Sequence, residues 1–390
     1  LQLGIQRDAD LPRGVRQSAM INLKNFASGT VRGPKDFDLR EMSDEERVAI
    51  SEVIVPELLQ EPDQNVLNAG AFLFGSLVVM HGVDSLPDLA DHLTNGLRSD
   101  DVQVLINTLV LIRDWWIRVR YMGRDMRERD DLNKGQEVLN EHILNAAGSA
   151  LDADVGDAAA TMVLVRALEA YFALIEFKTS GIAMEDPDHG FQWLELLLAA
   201  YSRPIPAEVL PEIEYDRQRS PHMQLRKVCG FILCRWVTRF MSTSERFLPS
   251  PEVEPLVVRF RNDMVHRFID PCLQVVTEFM GGGDSKWTTK ATFCDALLYI
   301  RHAITKVSAW RVLKPHVPDL LADVVVPVYT FNESDQELWE DDPVAYVHEN
   351  YSRVGVDTDV RGSVASFVLA LTSTRKDVGR PAVMRLLRAL

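Results

Sequence analysis

The 390 residues are more than one typical domain needs and enough for a large core or a stack of small repeating units. A formal charge of −15 sets direct binding to bare nucleic acid aside, because phosphates would be repelled, and favours lysine- and arginine-rich partners. With 46% apolar and 25% charged residues, the composition is that of an ordinary soluble folded chain.

The chain opens "LQLGIQRDADLPRG", without an initiator Met, a basic-then-apolar leader or a cleavage site, as expected for a piece of a longer protein. Strand signals are almost absent. Apolar-periodic segments separated by short Pro, Gly, Asp and Ser stretches predict helices over 11–28, 43–60, 64–81, 85–97, 100–121, 132–151, 157–179, 190–201, 220–242, 252–280, 287–306, 309–330, 343–351, 357–374 and 380–389.

Start and stop signals support several of these. Ser43 with Glu46 makes a capping box, and Ser85 precedes Pro87 and two carboxylates in a first turn. Asp100, Asp101 and Asp157 are placed to cap the helices that follow them. Gly82, Gly181 and the glycines at 281–283 are stops.

The most apolar window read from the sequence, "VLINTLVLIRDWWIRV", is interrupted by Asn107, Arg113, Asp114 and Arg118, so no membrane span is expected. That helix and "AAATMVLVRALEAYFALIEFK" carry only a narrow polar stripe, in the second case Arg166, Glu169 and Glu176. A helix apolar around so much of its circumference needs neighbours on more than one side. Thick helices of this kind start near 11, 64, 100, 157, 220, 287 and 357, with more amphipathic ones such as "DEERVAISEVIVPELLQE" between them. The alternation predicts an all-α stack of antiparallel helix pairs of the HEAT or armadillo kind rather than a single bundle.

Cys229, Cys234, Cys272 and Cys294 have neither redox nor zinc spacing and are expected as reduced core thiols, which points to the cytosol or nucleus. The nine His are dispersed, and no phosphate-cradling, nucleophile-elbow or metalloprotease motif occurs. No catalytic residue, cofactor or metal is therefore expected. The seven Trp, at 115, 116, 193, 236, 287, 310 and 339, are expected mostly at apolar helical positions between repeats, with a shallow groove for Phe-bearing peptides as the lesser alternative. Trp339 also lies in the densest polar stretch, "SDQELWEDDPVAYVHENYSRV" (334–354), with Asp335, Glu337, Glu340, Asp341, Asp342 and Glu349. It lacks the central Gly of a calcium loop and a paired base for acid–base chemistry, so it reads as a solvated acidic loop ahead of a helix starting at Pro343. A protein-facing patch that steers a basic partner stays open.

Two segments carry a resemblance. "DLPRGVRQSAMINLKNF" (10–26) looks like an early repeat of the importin-β superfamily, and "WRVLKPHVPDLLADVVVPVYTFNESDQELWEDDPVAYVHENY" (310–351) resembles its importin-seven and importin-eight branch. The resemblance implies a right-handed superhelical HEAT-repeat solenoid over 1–390, with about seven or eight helix pairs, an incomplete first repeat and an acidic inserted segment at 331–356. It implies a nuclear transport receptor that shuttles between nucleus and cytoplasm and is regulated by Ran-GTP. Such receptors carry basic protein cargo, such as ribosomal proteins or histones, and meet Phe-Gly nucleoporins. By repeat position, Asp44, Glu45, Glu52, Asp88 and Asp91 become candidates for contacting Ran, and Asp335, Glu337, Glu340, Asp341 and Asp342 for contacting Ran or basic cargo. Lys24 and Asn25 read as repeat-packing residues. An exportin of the same superfamily, or a helical-repeat scaffold outside transport, are the alternatives.

Overall fold

The computed structural model describes residues 10–27, 43–81, 88–120, 130–175, 186–241, 251–281, 288–331, 333–351 and 359–389. Among them every regular element is a helix. The chain divides into two compact units, Leu1–Asp186 and Pro187–Leu390.

In the first unit the helices are α1 (Arg13–Ala27), α2 (Asp44–Leu59), α3 (Gln64–His81), α4 (Leu89–Leu97), α5 (Val102–Arg120), α6 (Asp130–Asp152) and α7 (Ala158–Ile175). They form two rows. Helices α1, α3, α5 and α7 pack in succession, and α2, α4 and α6 lie alongside as the second member of each pair. The second unit repeats the scheme. Helices α10 (Pro221–Phe240), α13 (Lys290–Ala303) and α17 (Val360–Thr374) form one row. Against them lie α8 (Pro187–Ser202), α12 (Ile269–Met280), the helical run 307–329 beginning with α14 (Val307–Leu313), and α18 (Lys376–Ala389), while α11 (Glu254–Arg259) packs on α8. A short α9 (Glu214–Arg219) leads into α10. Stacked antiparallel pairs of this kind match a HEAT-repeat solenoid.

The seven segments expected to be thick are α1, α3, α5 and α7 of the first unit and α10, α13 and α17 of the second. Their burial shows why. Leu109, Val110, Leu111, Ile112 and Trp115 of α5, and Leu164, Val165, Ala167, Leu168, Ala170 and Tyr171 of α7, are all at 0% exposure. By length and composition α7 is apolar enough to cross a membrane, which the sequence reading did not register. Here 61% of that window is buried inside the protein, and the helix packs against α5 and α6 as a core helix.

One device starts nearly every helix of these rows. Asp63, Asp101 and Asp157 each accept a backbone N–H with Oδ1 at the head of α3, α5 and α7, at 2.8–3.4 Å. Ser220, Thr289 and Asp359 do the same for α10, α13 and α17. Each satisfies N–H groups left without an intrahelical partner, and the carboxylates also complement the positive end of the helix. Between rows the fit is close. A Cβ on Gly96 of α4 would lie 2.2 Å from Thr108 Oγ1 of α5, so only glycine allows this approach.

Three expectations need correction. The predicted helix over 252–280 breaks after α11 into a wide turn, Phe260–Met264, before α12 begins at Ile269. The Tyr299 hydroxyl donates to the Val265 carbonyl at 2.9 Å and so takes an acceptor the helix would have used, while Phe260 tilts against Trp236 at 4.9 Å. The helix over 309–330 persists but changes pitch at Lys314–His316 and Leu320–Val325. Pro315, Pro318 and Pro327 lack the N–H that a regular ladder requires there. The stretch expected as a solvated loop is instead a helix, α15 (Glu333–Asp341), joined to α16 (Pro343–Tyr351).

Asn107 joins neighbouring pairs through the backbone. Fully buried on α5, its Nδ2 donates to the carbonyls of Leu58, Leu59 and Glu61 at 3.2, 3.1 and 2.8 Å, closing the C-terminus of α2. Removing it orphans buried carbonyls, and each such group costs about 1–3 kcal/mol. Asn107→Ala should therefore lower the unfolding free energy by about 2–3 kcal/mol in a urea titration. An exposed control, Glu52→Gln, should change it by less than about 0.5 kcal/mol.

Candidate functional site

The proposed Ran-facing carboxylates fall on α2 and α4, neighbouring helices of one row. Glu45 and Glu52 are exposed on α2, and Asp91 is exposed in the first turn of α4. Asp88 is exposed just before α4, which starts there rather than at 85, in a left-handed turn with φ 55°. An Asp tolerates that conformation better than most residues. The Asp44 side chain, Ser85, Pro87 and Gly82 lie outside the described residues. None of Glu45, Glu52, Asp88 and Asp91 is in an ion pair among the described residues.

Behind this row the polar contacts are internal. Buried Glu61 pairs with Arg16 of α1 and accepts the Asp63 amide at 2.9 Å. Lys24 lies over the Phe72 ring at 4.3 Å and Arg118 over the same ring at 3.0 Å, in line with a packing role for Lys24.

In the acidic stretch the carboxylates divide by task. Asp335 is buried and pairs with Arg361 of α17 at 2.6 Å. Arg361 also donates to the Val328 carbonyl at 3.1 Å, and the Tyr329 hydroxyl donates to the Arg361 carbonyl at 3.0 Å. Asp335 thus ties α15 to the row and is withdrawn as a contact residue. Asp342 caps α16, accepting from Val344 and Ala345 at 3.0 and 2.9 Å. Glu340 accepts from Gln336 at 2.8 Å and remains exposed, as do Glu337 and Asp341. The Glu349 side chain and residues 352–356 lie outside the described residues. Tyr346 meets Trp339 edge to face at 5.4 Å and Phe331 at 5.8 Å.

The other tryptophans follow expectation unevenly. Trp115, Trp116, Trp193 and Trp236 are core residues, Trp310 is covered by Arg375 at 5.2 Å, and Trp287 lies outside the described residues. All four cysteines are buried and outside any disulfide, and burial pushes the thiols of Cys229, Cys234 and Cys272 up, away from reactivity.

Sequence reasoning passed over Asp295, one carboxylate inside an apolar helix. Burial raises it to about 6, against a hydrogen bond from the Cys234 thiol at 3.5 Å and the attraction of Lys227. Among the described residues no group of three His, Cys, Asp or Glu is arranged to hold a metal.

Comparison with known proteins now bears on this geometry. No family model matches the chain. The chain is 23% identical over 375 residues to an importin beta-like SAD2 homolog of Arabidopsis thaliana, covering 96% of this chain and 35% of that protein. It is 21% identical over 353 residues to importin-8 of Mus musculus, covering 86% and 33%. A solved structure of the exportin Cse1 in its cargo-free, cytoplasmic state superposes with a TM-score of 0.71 at 14% identity, over 100% of this chain and 40% of that one. In sequence the chain is similar to importin-like proteins, and the solved structure shows a likeness of fold alone. The chain spans about a third of the length of the curated relatives it matches.

Asp295 makes a pH prediction. The unfolded carboxyl ionises near about pH 4 and the folded one near 6, so between those values the folded chain holds the extra proton. Stability therefore falls as pH rises through that window, and below it the penalty vanishes. Asp295→Asn should raise the unfolding free energy by up to about 3 kcal/mol at pH 7.5 and leave it nearly unchanged at pH 4, read by denaturant titration at both.

Proposed function

We propose that this chain is part of a nucleocytoplasmic transport receptor of the importin-β superfamily that binds Ran in its GTP form and carries protein cargo past Phe-Gly nucleoporins, shuttling between nucleus and cytoplasm. The observation that carries the reading is the near-complete coverage of the chain by importin-like relatives, joined to a stack of helix pairs of the same kind. The importin-seven and importin-eight branch is the finer placement we infer from the 310–351 segment.

The physics fits the role. Each pair touches only its neighbours, so small changes at successive interfaces add up to a large change in curvature. Exposed Glu45, Glu52, Asp88 and Asp91 offer one negative row to a basic partner surface, and Glu337, Glu340 and Asp341 offer another. Such charge speeds encounter and selects partners more than it adds affinity. Ran and cargo then influence each other through the difference in their affinities for the alternative curvatures.

Direction is where the comparisons weigh against the simplest reading. An importer of basic cargo is what the sequence motif suggests, yet the likeness to an exportin structure over the whole chain favours export at least as strongly. A pull-down with Ran-GTP and Ran-GDP, with and without a lysine-rich cargo protein, decides this. Selective capture of Ran-GTP is expected. Cargo displaced by Ran-GTP means import, and cargo retained more tightly means export. Capture of neither nucleotide form, or of both equally, overturns the receptor reading. Reversing Glu45, Glu52, Asp88 and Asp91 together should weaken capture by at least about tenfold at low salt, and less as salt rises.

A further inference from the structure

In a chain of net charge −15, two stretches carry no side-chain carboxylate at all. No Asp or Glu occurs between Asp216 and Glu245, nor between Asp295 and Asp319. These stretches contain α10, the second half of α13 and α14, and the fold packs α10 directly on α13.

At the C-terminal end of α10 cations are crowded together. Arg235 and Arg239 stand one helical turn apart, both half-buried, and Arg239 lies over the Phe240 ring at 5.2 Å. The wide turn Phe260–Met264 brings Arg261 to the same place. Its Nε donates to the Phe240 carbonyl at 2.7 Å, and its Nη2 donates to the same oxygen. Turns of this wide pitch are uncommon and recur at functional sites. Lys306, half-buried just ahead of α14, faces Arg261 and makes no side-chain hydrogen bond or ion pair among the described residues.

These charges oppose one another. Burial, and then the Arg235 guanidinium, lowers Arg239 to about 10. Burial, and then Arg261, lowers Lys306. An anion seated among the four would relieve both pressures at once.

We propose that the end of α10 and the wide turn form a docking site for an acidic peptide segment, whose carboxylates pair with Arg239, Arg261 and Lys306. Charge complementarity commits the site to an anion. A peptide fits better than a nucleic acid, because a short acidic segment touches only this patch. A phosphate backbone would run on over a surface whose net charge repels it. The proposal goes beyond the receptor reading, which asks for basic partners, and stands or falls without it.

Titration of a fluorescein-labelled deca-glutamate peptide with the 390-residue chain, read by anisotropy at low salt, tests it. Saturable binding that weakens as salt rises is expected. Lys306→Gln, which removes no polar contact among the described residues, should weaken binding about three- to tenfold, and Arg239→Gln by a similar factor. Arg388→Gln on α18 changes the net charge equally away from the site and should leave affinity within about twofold. Far-UV circular dichroism checks that each variant is folded. Absence of saturable binding overturns the site, and so does Lys306→Gln binding as the parent chain does. An equal loss in Arg388→Gln also overturns it, because net charge alone then sets the affinity. An oligothymidylate of equal charge that binds as tightly through the same cations overturns the peptide as occupant.

Discussion

The constraint on which the structure depends is that a helix apolar around most of its circumference cannot be covered by one partner. Helices α5 and α7 show it most clearly, with side chains fully buried toward α3, toward each other, and toward the second row. Such a helix is stable only between like helices, and a row is the simplest arrangement that supplies them. The amphipathic helices α2, α4 and α6 then need to cover only one side, which leaves their polar faces for solvent and partners. Order in the row is therefore what leaves side chains such as Glu45, Glu52 and Asp91 exposed in the adjacent one.

Polar groups in the interior serve the same end by fixing where each helix begins and stops. An Asp, Ser or Thr heads α3, α5, α7, α10, α13 and α17, and Asn107 gathers three carbonyls at the end of α2. Ion pairs such as Arg113 with Glu169 at 2.9 Å link α5 to α7 within the row. These contacts are local to neighbouring pairs. A stack built from such contacts distributes its stability over successive neighbouring pairs.

Much of this was legible because the burial pattern is local. The seven thick segments announce themselves by their narrow polar stripes, and Asp101 and Asp157 announce the caps. What escaped was decided by distant residues. The break after Arg259 depends on Tyr299, more than thirty residues away, and no spacing near Val265 signals it. The helix α15 has only Leu338 and Trp339 as apolar members, so periodicity misses it, and Arg361 holds it in place. The same pairing removes Asp335 from the candidate contact set. The α2 and α4 carboxylates were placed by resemblance, and the structure adds that they share a row and lack ion pairs among the described residues.

The claim that links fold to function is that the α2–α4 row faces Ran while the α5–α7 row holds the stack. Hydrogen exchange of the chain, alone and with Ran-GTP, tests it directly. The account predicts that α5 and α7 are the slowest to exchange in the free chain, and that Ran-GTP adds protection on α2 and α4 without changing α5. Protection confined to other helices, or α7 exchanging as fast as α16, would contradict it.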